Sequence, residues 1–204
     1  MEPLLFTNKA LTNPQDKILN AALMLYTEKG FRETTVLDIV ECARVSKTTF
    51  YNFFKSKEEL LAHLFQSLLD EVLIKVKLAT QQEERMSNKA FVGIKRYLEI
   101  CMHHRPVAQL LLVSSVGVSP AVEEVRYRAH VRFAEFIYGT VKTDAASDER
   151  IRIFAQAMVG AINEVVVQKV IRSDMQTDIE ELARLLSRIV QGSYKHLINH
   201  KGML

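Results

Sequence analysis

A chain of 204 residues, 48% hydrophobic and 25% charged, has the length of one large domain or two small ones and the composition of a soluble globular protein. A net charge of +3 excludes a uniformly basic coat, so any nucleic-acid surface must be local. Two cysteines, Cys42 and Cys101, exclude a disulfide framework and a metal ribbon and point to a reducing compartment. The opening "MEPLLFTNKALTNP" lacks the basic and apolar regions of a secretory leader. Nowhere do about 18 apolar residues run together, so no membrane partner is expected and the protein is read as cytoplasmic.

The predicted elements are all helices, because capping residues, proline and glycine punctuate the chain at helical lengths and no stretch alternates with period two for long. Asn13, Pro14 and Asp16 open a first helix that puts Ile18, Ala22, Leu25 and Tyr26 at helical spacing, and Gly30 ends it. Thr35 and Asp38 form a capping box ahead of Val36, Ile39, Val40 and Ala43. Ser56 and Glu59 form another, ahead of Leu60, Leu61, Leu64, Leu68 and Val72. Ser87 caps a helix ending near "HHR", Pro106 starts a short apolar one, and Ser119-Pro120 start one carrying Val122, Val125, Ala129, Phe133, Phe136 and Ile137. The polar "KTDAASDER" reads as a loop into an apolar helix over about 148–172. Thr177 and Glu180 make a third capping box, opening a last helix with Leu182, Leu185, Leu186, Ile189 and Leu197. The total is about nine helices, without repeats or low-complexity tracts.

The stretch "VSKTTFYNFFKSKEEL", residues 45–60, crowds four aromatic rings among lysines and hydroxyls. A helix over 35–43, a tight turn at Arg44-Val45 and a short helix from Ser46 have the dimensions of a helix-turn-helix. From Arg44 to Lys57 four basic residues meet no acid, although the first 60 residues balance to zero. A phosphate-binding edge needs that segregation. Phe50 and Phe54, four apart, are expected to enter a small core, leaving Tyr51 and Phe53 outward. Lys47, Thr48, Tyr51 and Asn52 then present donors and acceptors to a groove. The plainer alternative puts all four rings in the core and leaves the lysines merely solvated.

Across "ILNAALMLYTEKGFRETTVLDIVECARVSKTTFYNFFKSKEELL", four features carry a resemblance. They are the Ala-Ala pair, the Gly-Phe end of the first helix, Thr-Thr-Val, and Tyr-x-x-Phe-Lys-x-Lys-Glu-Glu-Leu. Over about residues 13–61 they closely resemble the TetR family of bacterial transcriptional regulators. The resemblance implies an all-α protein with an N-terminal three-helix helix-turn-helix DNA-binding domain, residues 13–61 with the motif at about 36–55. Residues 62–204 would then form a C-terminal helical ligand-binding and dimerisation bundle. It also implies a homodimer that binds a palindromic double-stranded DNA operator and releases it on taking up a small-molecule effector. Carried over by position, Thr35 and Lys55 hold phosphates, and Ser46, Lys47, Thr48, Tyr51, Asn52 and Phe53 belong to the reading helix and its start. Two residues depart from the family. Arg44 stands where the turn usually has Gly, so the turn is expected to be strained or reshaped. Phe53 stands where His or Tyr is frequent, which replaces a hydrogen bond to DNA by an apolar contact.

An enzyme is not expected. His63, His103, His104, His130, His196 and His200 sit in no motif with carboxylates, and there is no phosphate loop or nucleophile elbow. His196 and His200 are four apart, a spacing that could clip a metal, but the negative end of a helix accounts for them better, and neither metal nor cofactor is expected. Cys42, beside Val40 and Ala43, is read as a small core residue.

In the C-terminal half, Ala157, Gly160 and Ala161 permit close approach. With Leu182, Leu186 and Ile189 of the last helix they offer more apolar surface than one bundle needs, and pairing across a two-fold axis would bury it. Asn163 and Glu164 lie in the same apolar run and need partners: a ligand, another helix or a second subunit. Leu64, Tyr97, Tyr127, His130 and Phe133 are further pocket candidates, and the polar-tipped ones read equally as exposed surface. The resulting expectation is a dimeric repressor released by a largely apolar ligand with one polar end rather than a sugar or nucleotide. An activator or ligand-independent regulator stays open, as do, from another class, a helical adaptor or an enzyme.

Overall fold

The structure, a computed structural model, describes residues 13–143, 147–173 and 177–199. Among these residues it is all-helical, with nine α-helices. They are α1 (Pro14–Glu28), α2 (Val36–Ala43), α3 (Lys47–Phe53), α4 (Lys57–Thr80), α5 (Met86–His103), α6 (Arg105–Gln109), α7 (Pro120–Val141), α8 (Asp148–Val166) and α9 (Ile179–Asn199). Short π-helical segments, Leu110–Ser114 and Val167–Ile171, continue α6 and α8. The chain divides into two compact units, one of residues up to Glu71 with His104–Tyr127, the other of Val72–His103 with residues from Arg128 onward. Helices α4 and α7 each begin in the first unit and end in the second.

In the first unit α1, α2 and α3 pack on one another and α6 packs on α1. Ile18, Ala22, Tyr26, Ile39, Val40, Phe50, Phe54, Leu60, Leu61, Leu64, Phe65 and Leu68 are buried there. Each large side chain among them contributes about 1.5–3 kcal/mol by leaving water. The helix starts follow local chemistry. The Asn13 side chain accepts from Asp16 N at 2.7 Å, and the Thr35–Asp38 box is reciprocal. Gly30, at φ 88, turns the chain out of α1, and buried Thr34 donates to its carbonyl at 2.7 Å. At the end of α2, Arg44 N donates to Glu41 O and Val45 N to Val40 O, the paired bonds of a Schellman turn. The turn residue is Arg44, at φ 53 and ψ 50. A left-handed conformation costs a non-glycine residue about 1–2 kcal/mol.

The second unit packs α9 against α5 and α8. Its core joins Ala134, Tyr138 and Val141 of α7 to Ile151, Phe154, Ala155 and Val159 of α8 and Tyr194 of α9. The Tyr194 hydroxyl donates to Val141 O at 2.6 Å, so its ring is buried without orphaning the oxygen. Lys95 of α5 pairs with Glu180 of α9, which also accepts from Arg184 one turn along. Gly93 lets α5 approach α4 closely, since a Cβ there would meet Thr80 Cγ2 at 3.1 Å.

Several local expectations change. Glu59 does not return to the amide of Ser56; it accepts from Lys55 N, one residue earlier, while Ser56 Oγ accepts from Glu59 N. The last helix is capped by Asp178, which accepts from Glu181 N at 3.0 Å, and Thr177 instead donates to Lys169 O at 2.7 Å. A carboxylate next to a hydroxyl is the stronger acceptor for helix amides, so the cap shifts by one residue. Helix α5 begins at Met86, which puts Ser87 inside its first turn. Cys42 is exposed rather than core, because the buried stripe of α2 is Ile39, Val40 and Ala43 and Cys42 falls to its side; the buried thiol is Cys101. The segment Asp148–Ile171 is long and apolar enough to cross a membrane by length and composition only, although Gln156, Asn163 and Glu164 interrupt its apolar run. His200 of the His196/His200 pair lies outside the described residues, as does the opening segment.

Candidate nucleic-acid interface

Helix α3 is short, and one side of it anchors it. Phe50 is 0% and Phe54 1% exposed, whereas Tyr51 is 55% and Phe53 41% exposed. The rings divide as the helical offsets require, two inward and two outward. Ser46 starts the helix by accepting from Thr49 N at 3.0 Å, and Phe54 N closes it onto Phe50 O. Phe54 also meets His63 of α4 edge-on, with ring centroids 5.5 Å apart. The face left to solvent carries Lys47, Thr48, Tyr51, Asn52 and Phe53, with Ser46 at its start and Lys55 just past its end. All seven side chains are exposed. Among the described residues Arg44, Lys47 and Lys55 have no ion-pair partner.

Thr35 is exposed too, but its hydroxyl and amide both donate to the Asp38 carboxylate, at 2.8 and 2.7 Å. The Thr35 amide first, then its hydroxyl, hold the Asp38 carboxyl below its ordinary pKa, with Lys29 at 3.6 Å adding less. Lys57, one of the four basic residues of the edge, is spent within the fold. Its ammonium donates to Phe31 O at 3.1 Å, Arg32 O at 3.4 Å and Thr34 O at 3.0 Å, and lies 4.5 Å from the Phe31 ring centroid. This clamp could not be read from spacing, because its acceptors are backbone atoms of a distant loop. The arrangement is an exposed helix face of donors, acceptors and rings, flanked by cations without ion-pair partners among the described residues, suited to a groove lined by phosphates.

The pocket candidates separate. In the second unit Tyr97 Oη donates to Asn163 Oδ1 at 2.8 Å and its ring lies 6.1 Å from that of Phe133. Burial drives the Tyr97 hydroxyl well above its ordinary pKa and pushes the Cys101 thiol one turn away up to about 12, so both stay neutral. His130 is half-buried in the same unit. Leu64, buried, and Tyr127, exposed, belong to the other compact unit. Glu164 is exposed and accepts from Gln168 at 2.7 Å. It shares that side of α8 with exposed Ile153, Ala157, Gly160 and Ala161, while on α9 Leu185 and Ile189 are exposed, Leu182 half-buried and Leu186 buried.

The family of bacterial regulatory proteins named tetR matches residues 18–64, which takes in α2 and α3. The chain is 31% identical over 108 residues to the HTH-type transcriptional regulator YhgD of Bacillus subtilis, covering 53% of this chain and 56% of that protein's length. It is 25% identical over 188 residues to the fatty acid metabolism regulator protein of Bacillus subtilis, covering 86% of this chain and 93% of that one. Among solved structures, that of the transcriptional regulator FadR from Bacillus subtilis in complex with stearoyl-CoA superposes with a TM-score of 0.73 at 18% identity, covering 85% of this chain and 96% of that chain.

Proposed function

We propose that this chain, which belongs to the tetR family of bacterial regulatory proteins, is a cytoplasmic dimeric repressor that an acyl thioester releases from a palindromic operator. The observation that carries the DNA reading is the division of α3, with Phe50 and Phe54 buried and Lys47, Thr48, Tyr51, Asn52 and Phe53 exposed. Residues 13–61 form the DNA-binding domain; Lys55 flanks the reading face at the phosphates, Thr35, expected there too, keeps both its donors on Asp38 and caps α2, and the remaining chain dimerises and takes the ligand. Dimerisation uses the exposed small and apolar side of α8, around Ala157 and Ala161, with Leu182, Leu185 and Ile189 of α9; Leu186, expected there from the sequence, is buried within the chain itself. Two such helix pairs across a two-fold axis make a four-helix interface. Glu164 belongs to that side, and Asn163, bonded to Tyr97, belongs to the interior.

The ligand class draws on the second unit and on the relatives. The Tyr97 hydroxyl is spent on Asn163 Oδ1 beside the Phe133 ring, which leaves few polar anchors among the apolar side chains around it. A long acyl chain suits such an interior, and relatives named for fatty-acid regulation and for a stearoyl-CoA complex favour a CoA thioester as the polar end. Helix α4 follows α3 directly and, like α7, runs from the first unit into the second, so a ligand that shifts it alters the placement of the two reading helices. The ligand must prefer the released shape, since equal affinity for both shapes shifts nothing. The test titrates stearoyl-CoA, and CoA alone, into full-length protein bound to a duplex it has selected from a random pool. Release by stearoyl-CoA and not by CoA supports the reading. No release by either, or equal release by both, refutes the ligand class; no duplex binding at all refutes the DNA reading.

A further inference from the structure

We infer that Arg44 is a further DNA contact, holding a backbone phosphate at the groove edge beside α3. Among the described residues it is the non-glycine residue with positive φ, at 53°. The Schellman turn that ends α2 needs a left-handed residue at this position, and Gly or Asn meets that need with least strain. Arg brings neither advantage, and its Cβ works against the turn. What Arg adds is a long side chain and a permanent charge, and here both face solvent. Glu41, three residues earlier, is exposed as well, yet Arg44 has no ion-pair partner among the described residues. Among the described residues no ion pair offsets the strain.

The position of the turn says what the charge meets. In a helix-turn-helix the second helix lies in the major groove and the first crosses the backbone, so the connecting turn sits at the groove edge, among phosphates rather than base edges. Arg44 lies two residues before the Ser46 cap of α3 and three before exposed Lys47. A guanidinium there adds a bidentate, charge-assisted contact that fixes register without reading sequence. Backbone strain kept at a binding surface is then part of its construction.

The inference rests on α3 being the reading helix, and the experiment separates the two. Full-length parent, Arg44→Gly, Arg44→Gln and Arg44→Lys are compared for binding to a labelled random-sequence duplex and to a selected duplex over a range of salt, alongside thermal melts. Arg44→Gly and Arg44→Gln should lower the slope of log affinity against log salt by about 0.9 per protomer, about 1.8 for the bound dimer, on both duplexes, and Arg44→Lys should keep it. Arg44→Gly should also raise Tm while Arg44→Gln does not, so weaker binding by Arg44→Gly cannot come from a weaker fold. An Arg44→Gly chain with the parent's slope overturns the inference and leaves the reading of α3 intact. Loss confined to the selected duplex overturns it too, since that marks a base contact. A parent with no salt-dependent binding overturns the reading beneath it and the inference together.

Discussion

The Lys57 ammonium, shared among the carbonyls of Phe31, Arg32 and Thr34, fixes the loop that joins α1 to α2. Lys57→Met would leave those oxygens without their cation, and hydrogen bonds to charged groups contribute about 1.5–3 kcal/mol. A loss of about 2 kcal/mol is expected by denaturant unfolding, because the site is only partly buried. A change within about 0.5 kcal/mol, the usual range for surface sites, would show that the clamp is incidental. Lys55 offers the contrast. Its side chain is exposed, and its contribution to the fold is a backbone amide that donates to Glu59. Lys55→Ala should therefore keep the parent's Tm, weaken binding to all duplexes alike and lower the salt slope by about one per protomer. If it melts early or binds as the parent does, its placement at a phosphate is wrong. Spacing alone put Lys57 and Lys55 in one basic edge, and only the tertiary contact separates their roles.

Helix α2 depends on a cap four residues long, and the cap titrates. Thr35 donates twice to Asp38 and holds its carboxyl below the ordinary value. A carboxyl depressed in the folded state adds stability above its unfolded pKa, and that stability is lost as pH falls through the folded one. The parent should therefore melt above Asp38→Asn near neutrality, and the gap should close as the pH drops below the carboxylate range; a gap constant with pH would remove the cap from the account. Caps of this kind are legible in sequence because their partners lie within one turn, as Asn13 with Asp16 and Thr35 with Asp38 demonstrate. Even there Asp178 displaces Thr177, since two adjacent acceptors compete and the hydroxyl finds another carbonyl. The turn at Arg44 was legible as a conflict between residue and backbone, and the left-handed φ bears it out. The tie from Tyr97 to Asn163 spans 66 residues and that from Lys95 to Glu180 spans 85, so neither leaves a periodic signal. The split of rings in α3 needed only helical offsets.

For the whole molecule, the proposed dimer requires two reading helices held at a set distance, and the apolar side of α8 and α9 is what would hold them. Ile153, Leu185 and Ile189 are at least half exposed in the single chain, beside Ala157, Gly160 and Ala161. Ala161→Glu would put a charge into that interface twice, once from each protomer. Sedimentation at micromolar concentration should find the parent dimeric and the variant shifted toward monomer, with weaker operator binding in proportion. A parent that sediments as a monomer would refute the interface. The most direct test is a hydroxyl-radical footprint of the full-length chain on a duplex it selects from a random pool. Two protected patches are expected with centres about 34 Å apart, one turn of the duplex, and Tyr51→Ala should blur both together. A single patch, or two patches that Tyr51→Ala leaves unchanged, would contradict a dimer reading DNA through α3.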